Sequence, residues 1–306
     1  MIEWKIRPYS SVKRFEEVNK IFEELEAKFK SLLEHSKIKP IHEDFLFAQN
    51  GLTALIAGTG TGKSYNYVRM IANSETLIPK KPFFEDIVVC STSAKFDTTV
   101  KIYRQAIKKS NLIPIKDDDL IDFIEAYVQK AHIYNTINIF VNNGLQDPSS
   151  EMIDIMKENG LINRRGEFDF IKTIIFIAKK LEEIGWETFP HRMLLVLDDF
   201  ASHPLLKRKE TELSRFLKRL RHFYINVIIC VQTTMSIPVD LKRDLKDCIV
   251  FPGINYDDFH NLVRQSTIGK LGTADELWSK YVKIKDTQTM IIFHVAVREI
   301  VVVPPS

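Results

Sequence analysis

Cysteine is nearly absent from this chain of 306 residues: there are three, Cys90, Cys230 and Cys248, each in or beside an apolar run. They are too few and too scattered for a disulfide framework, and no Cys–Cys or Cys–His spacing suits zinc. Buried, reduced thiols in a cytosolic-type compartment are the expectation. No apolar run of 18 residues occurs, so no membrane span and no membrane partner are expected. The first twenty residues lack the apolar core of a secretory signal, so secretion is not expected either. An excess of one charge is lacking too: 43 basic against 40 acidic residues leave +3, which permits a nucleic-acid partner without requiring one. Neither an internal repeat nor a low-complexity segment is visible. With 45% apolar residues the chain can build one large domain or two small ones.

Glycine is also scarce, 11 in all, which makes one cluster conspicuous. In TALIAGTGTGKSYNYV, residues 53–68, Gly58, Gly60 and Gly62 alternate and are followed at once by Lys63 and Ser64. The run Ala57, Gly58, Thr59, Gly60, Thr61, Gly62, Lys63, Ser64 matches a P-loop with alanine at the first position, where a methyl group also fits. A polyphosphate must be wrapped by successive backbone N–H groups, and glycine allows the close approach and the unusual angles. The helix that follows aims its N-terminus at the anion. Lys63 supplies a cation to the β- and γ-phosphates, and the Ser64 hydroxyl is a ligand for Mg²⁺. Nucleotide contacts are expected from Ala57 through Tyr65. The competing reading is a glycine turn beside a surface lysine.

Short aliphatic runs at 52–58, 87–93, 193–200, 226–234 and 248–253 lack period-two alternation and suit central strands of a parallel sheet covered on both faces. Helical stretches at 64–73, 97–109 and 205–222 lie between them, which argues for an α/β fold. Residues 10–36 carry Phe15, Val18, Ile21, Phe22, Leu25, Phe29 and Leu32 at helical spacing, so 1–50 reads as a helical extension. The interval 110–190, with helix-like pieces at 117–131 and 167–184 around a turn-rich VNNGLQDPSSEM, reads as a helical insertion in a domain of 51–303. Residues 289–303 read as two strands joined by a tight turn at the sheet edge.

Carboxylates end one of these runs: MLLVLDDF closes in Asp198 and Asp199. After a P-loop, this order fits a Walker B strand, with Asp198 holding Mg²⁺ and Asp199 polarising the attacking water. The alternative for Asp199 is a cap on the following helix. Gln232 ends NVIICVQ; on a strand between the other two it would stand beside the γ-phosphate, to sense it or to orient the water. Its alternative is a bond to loop backbone.

The order of the P-loop strand, LLVLDD, a basic helix, RLRHFYINVIICVQ and IPVDLKRDLKDCIVF resembles the FtsK/HerA superfamily of P-loop ATPases. More narrowly it is similar to the DNA-packaging ATPases of poxviruses and other large DNA viruses, over residues 52–72 and about 190–303. The resemblance rests on Asp198 and Asp199, Arg221 and His222, Gln232, and Arg243. It implies an ASCE-type, RecA/FtsK-like three-layer sandwich with a mainly parallel central sheet. It also implies hydrolysis of ATP with Mg²⁺, a ring of five or six copies, translocation of double-stranded DNA, docking on a capsid or portal protein, and action in the cytoplasm or at a viral assembly site. An arginine of one copy would reach the neighbour's γ-phosphate. Arg221 is the first candidate and Arg243 the second, each against a surface or DNA-facing role.

A basic stretch, residues 206–222, sets Lys207, Arg208, Lys209, Arg215, Lys218, Arg219 and Arg221 against Glu210 and Glu212, with leucines and Phe216 on the other helical face. It suits phosphate contact without base reading; the alternative is a solvated surface. Arg164 and Arg165 form a second basic pair on an expected loop. No basic patch interleaved with aromatics marks a single-strand platform, which favours duplex. The leading expectation is an ATP-driven duplex translocase that packages a viral genome. The alternatives are another FtsK/HerA-type translocase or helicase, a P-loop kinase, and a nucleotide-dependent assembly scaffold with little turnover.

Overall fold

The computed structural model describes residues 51–58, 61, 63–75, 82–92, 96–142, 150–162, 169, 172–173, 175–176, 179, 191–200, 203–207, 212–219, 223–283 and 289–303. The helix expected at 10–36 lies outside the described residues, as do Thr59, Gly60, Gly62, Arg164, Arg165, Arg208, Lys209, Arg221 and His222. Contacts divide the described residues into two units, one holding 51–125 with Arg192 onward, the other holding Ala126–His191.

The first unit is built on an eight-stranded sheet. Its strands are β1 (Leu52–Ile56), β2 (Asp86–Ser91), β3 (Asn111–Ile115), β4 (Met193–Asp198), β5 (Ile225–Val231), β6 (Leu245–Val250), β7 (Met290–His294) and β8 (Glu299–Val303). They lie in the order β3-β2-β4-β5-β1-β6-β7-β8. The first six run parallel, and β7 and β8 close one side as an antiparallel hairpin. The five aliphatic runs of the sequence are all parallel strands, and β1, β4 and β5 are buried along their whole length. That is why they read as largely apolar runs rather than alternating ones.

Helices follow the strands: α1 (Lys63–Ser74) after β1 and α2 (Phe96–Ala106) after β2. The chain moves one way along the sheet from β1 through β3 and the other way from β4 through β6. Right-handed crossovers then put α1 and α2 on one face and the connections after β4 and β5 on the opposite face. The packing agrees. Val68, Met70 and Ile71 of α1 and Tyr103 of α2 share one cluster with Leu55, Ile87, Val89, Leu194, Val196, Ile228, Cys230 and Ile249. The alternate strand residues Ala54, Val88, Leu195, Leu197, Val227 and Ile229 are buried on the other side. Two covered faces make a three-layer sandwich.

Three elements depart from the sequence reading. β3 falls in the interval read as insertion; its NLIPI is short, half-exposed and contains Pro114, which a strand tolerates at a sheet edge. The interval's first helix, α3 (Leu120–Asn142), runs well past residue 131 and is followed by α4 (Ser150–Glu158). In the basic stretch expected as one helix over 205–222, α5 (Pro204–Lys207) and α6 (Glu212–Leu217) are described, and the chain is already in a turn at Lys218 and Arg219. Beyond them come α7 (Val239–Lys242), α8 (Tyr256–Gln265) and α9 (Ala274–Tyr281). Asn255 caps α8 by accepting from the Asp258 N–H at 2.8 Å, and Thr273 with Glu276 forms a capping box on α9. Phe259 of α8 stacks on Tyr281 of α9 and lies against Phe293 of β7.

Candidate active site

Parallel strands end at a common edge, so whatever polar residues close the apolar runs must meet there. β1, β5, β4 and β2 are neighbours, and Leu55, Cys230, Asp198 and Ser91 are level with one another across them. Leu55 and Cys230 belong to the cluster under α1 and α2. Asp198 lies two residues beyond Val196 of the same cluster, so the pleat turns its side chain to that same face. The carboxylate that ends β4 and the loop that leaves β1 for α1 therefore occupy one edge and one face. Two strand spacings, about 10 Å, separate Asp198 from the β1 register. Asp198 is buried.

The loop's described part explains its alanine. Ala57 is fully buried, and its N–H donates to the Val231 carbonyl at 3.1 Å, which prolongs the β1–β5 ladder by one residue. A position that still belongs to the strand has no need of glycine. The chain leaves the sheet at Gly58, whose carbonyl accepts from Thr61 Oγ1 at 2.9 Å, and α1 begins at Lys63. Of Lys63, Ser64 and Tyr65 the structure gives the helical backbone. The first turn of a twelve-residue helix thus follows the loop directly, with its N–H groups and positive dipole end at the strand edge.

Strand β5 lies between β1 and β4. A glycine-rich loop joining a central strand to a helix, a carboxylate pair ending a second strand and a polar strand end between the two are now in one arrangement. The chain has a P-loop NTPase fold. Among solved structures it is similar to the genome-packaging NTPase B204 of Sulfolobus turreted icosahedral virus 2 in complex with AMPPCP, at 14% identity over 84% of this chain and 98% of that one, with a TM-score of 0.45. It is similar to B204, the DNA-packaging ATPase of Sulfolobus turreted icosahedral virus, at 12% identity over 84% and 98%, with a TM-score of 0.48. It is also similar to the cytoplasmic domain of the type VII secretion ATPase EccC of Thermomonospora curvata, at 12% identity over 83% of this chain and 25% of that one, with a TM-score of 0.45. No family model and no curated protein matches the chain.

Asp199 and Gln232 meet. Gln232 Nε2 donates to Asp199 Oδ1 at 3.1 Å, so the glutamine bonds a carboxylate rather than loop backbone. Asp199 has φ +58°, a left-handed conformation that aspartate adopts more readily than most residues. Its carbonyl accepts from Thr92 Oγ1 at 2.9 Å. Of the threonines after Gln232, Thr233 Oγ1 pairs with Ser236 Oγ in its own turn at 2.9 Å, and buried Thr234 donates to the Asp258 carbonyl of α8 at 3.4 Å.

Other candidates stand elsewhere. Arg243 is exposed in the turn between α7 and β6, at the strand's start. The length of β6, about 20 Å, separates it from the edge where Asp198 and Gln232 lie. On α6 and just after it, Arg215, Lys218 and Arg219 are exposed. Lys218 pairs with Asp240 of α7 at 2.9 Å, and the Arg219 guanidinium stacks over Phe223 at 5.8 Å. Lys207 ends α5.

No sequence motif marks Thr92. A signal was there: the runs that carry site residues end in ST, DD and QT, polar pairs at Ser91–Thr92, Asp198–Asp199 and Gln232–Thr233. In a parallel sheet such endings converge on one edge.

Proposed function

We propose that this chain hydrolyses ATP with Mg²⁺ and uses the energy to move double-stranded DNA, as a viral genome-packaging motor does. The observation that carries the reading is the shared edge and face of Asp198 and the start of the loop that leaves β1, with Gln232 in hydrogen-bond contact with Asp199. The backbone amides from Gly58 to Lys63, the Lys63 ammonium and the first turn of α1 would bind the triphosphate. The residues suit magnesium: Ser64 and Asp198 offer one hydroxyl and one carboxylate, and an ion of this kind completes its shell with phosphate oxygens and water. No cluster of three metal-binding side chains is present among the described residues, so a cation held by protein groups alone is not what they favour. When bound, the ion offsets the charge that develops on the β- and γ-phosphates.

Asp199 would take the proton of the attacking water through the carboxylate oxygen that Gln232 leaves open. Water oxygen then bonds to the γ-phosphorus, the bond to the bridging oxygen breaks, and ADP and phosphate depart. Gln232 would exchange Asp199 for the γ-phosphate when nucleotide is present. Arg243, at the far end of β6, is suited to a neighbour's nucleotide and not to its own, which favours an assembly of copies. For duplex contact the exposed Arg215, Lys218 and Arg219 are the candidates, with Arg164, Arg165, Lys207 and Arg208. Lys218 must first give up Asp240.

The test is ATP turnover with and without duplex DNA, on protein whose oligomeric state is fixed by mass. Turnover that rises several-fold with duplex supports the motor; turnover indifferent to DNA leaves an ATPase of another purpose. A second reading, a nucleotide-dependent scaffold, is favoured by the Gln232 amide already sitting on the carboxylate that must act as base. Equal low rates in wild type and Asp199→Asn would decide for it.

A further inference from the structure

We infer that Thr92 is a positioning residue for the catalytic carboxylate, an inference that rests on the reading of Asp199 as general base. Thr92 is the first residue past β2, whose last residue, Ser91, is level with Asp198. Its hydroxyl donates to the Asp199 carbonyl at 2.9 Å, across a sequence separation of 107 residues. This bond falls on a residue in the left-handed region, with φ +58° at Asp199. Such a conformation is disfavoured for a residue with a Cβ and persists where its surroundings hold it.

Two strands hold this one. From β5, Gln232 grips the carboxylate; from β2, Thr92 grips the main chain. The two contacts differ in what happens when nucleotide arrives. Gln232 has a second task at the γ-phosphate, so its hold on Asp199 is released in the working state. The Thr92 bond goes to backbone and can persist through the cycle, fixing where the carboxylate starts when Gln232 lets go. Threonine suits this: branching at Cβ restricts χ1, so the hydroxyl is aimed with little freedom. Without it, the turn after β4 can relax toward a right-handed conformation that swings the carboxylate away from the water. Misplacement by about 1 Å is enough to slow chemistry on the order of a hundredfold.

The test uses the full chain with Thr92→Val, which keeps the shape and removes the hydroxyl, and Thr92→Ser, which keeps the hydroxyl. Thr92→Val should lower kcat for ATP by about ten- to a hundredfold, with KM and the affinity for a fluorescent ATP analogue within twofold of wild type. Thr92→Ser should recover at least half of the lost rate on a logarithmic scale. Independently of turnover, amide hydrogen exchange in the peptide covering 193–203 should rise in nucleotide-free Thr92→Val and not in Thr92→Ser. The proposal is overturned by unchanged kcat in Thr92→Val, by a serine variant as slow as the valine one, or by loss of nucleotide affinity and thermal stability in step with rate, which marks a purely structural role. Unchanged exchange in Thr92→Val would also overturn it. A wild-type chain that binds the analogue and never hydrolyses ATP, with or without duplex, overturns the ATPase reading instead and removes the catalytic half of the inference; the exchange result still decides whether Thr92 holds residue 199.

Discussion

At Asp199 the backbone explains the side chain. Many ATPases of this type carry glutamate after the metal-binding aspartate, and a shorter acid is at first sight a handicap. At φ +58° the balance changes, because the left-handed region is best tolerated by residues whose short polar side chain bonds locally, as this one does to Gln232. Asparagine is tolerated there equally, so Asp199→Asn should fold normally and lose turnover by about 10²-fold or more, read as steady-state phosphate release. Asp199→Ala should lose the same turnover and in addition about 1–2 kcal/mol of stability, read as a denaturant midpoint. The cysteines make an opposite kind of prediction. Burial, then Asp117 and Asp119, push the Cys90 thiol up to about 12, and burial followed by Asp247 pushes Cys248 up as well. All three thiols are buried, so a chromogenic disulfide reagent at pH 8 should find them silent in the native chain and reactive in denaturant.

Between elements, one acid joins the helices of one layer to the sheet edge. Glu75, just past α1, accepts from the backbone N–H groups of Lys108, Lys109 and Ser110, each at 2.7 Å, where the chain passes from α2 into β3. Burial raises its carboxyl, yet the amides of Lys108, Ser110 and Lys109 outweigh burial and hold it below its ordinary 4.5. A folded value below the unfolded one stabilises the chain in full above pH 4.5 and progressively less as pH falls through the lowered value. Glu75→Gln should therefore cost about 2 kcal/mol at pH 7, and the gap from wild type in urea midpoint should shrink below pH 4.5. Nothing in the residues around Glu75 announces this, because its partners are main-chain groups and come from 33 to 35 positions away. The same asymmetry governs what could be read from sequence at large. Five of the six parallel strands were legible because burial on both faces leaves them as aliphatic runs with few polar residues, and the position of β5 between β1 and β4 followed from the role asked of Gln232. β3 was not legible, since an edge strand of five residues with a proline carries neither a long apolar run nor an alternating one. The loop residues and those proposed to hold a metal were named from motif; the bond from Thr92 to Asp199 links two strand ends by a hydroxyl and a carbonyl, and a carbonyl has no signature in sequence.

For the molecule as a whole, the sheet's polarity sorts its chemistry. Everything proposed to touch a nucleotide within one chain leaves from the carboxyl ends of the strands, the edge at which open α/β sheets bind ligands. Duplex stimulation of turnover should weaken steeply between 50 and about 200 mM salt, as it must if Arg215 and its basic neighbours contact phosphates; stimulation indifferent to salt would remove them from that role. Arg243 is the exception to the sorting, stranded at the amino end of β6. Its position has a kinetic meaning. If the arginine serves a nucleotide, that nucleotide belongs to another molecule, and a solitary chain is an incomplete enzyme. Specific activity should then collapse on dilution, and two inactive preparations, Arg243→Ala and Asp199→Asn, should regain part of the activity when mixed, because the Asp199→Asn copy lends its Arg243 to the site where the Arg243→Ala copy keeps Asp199.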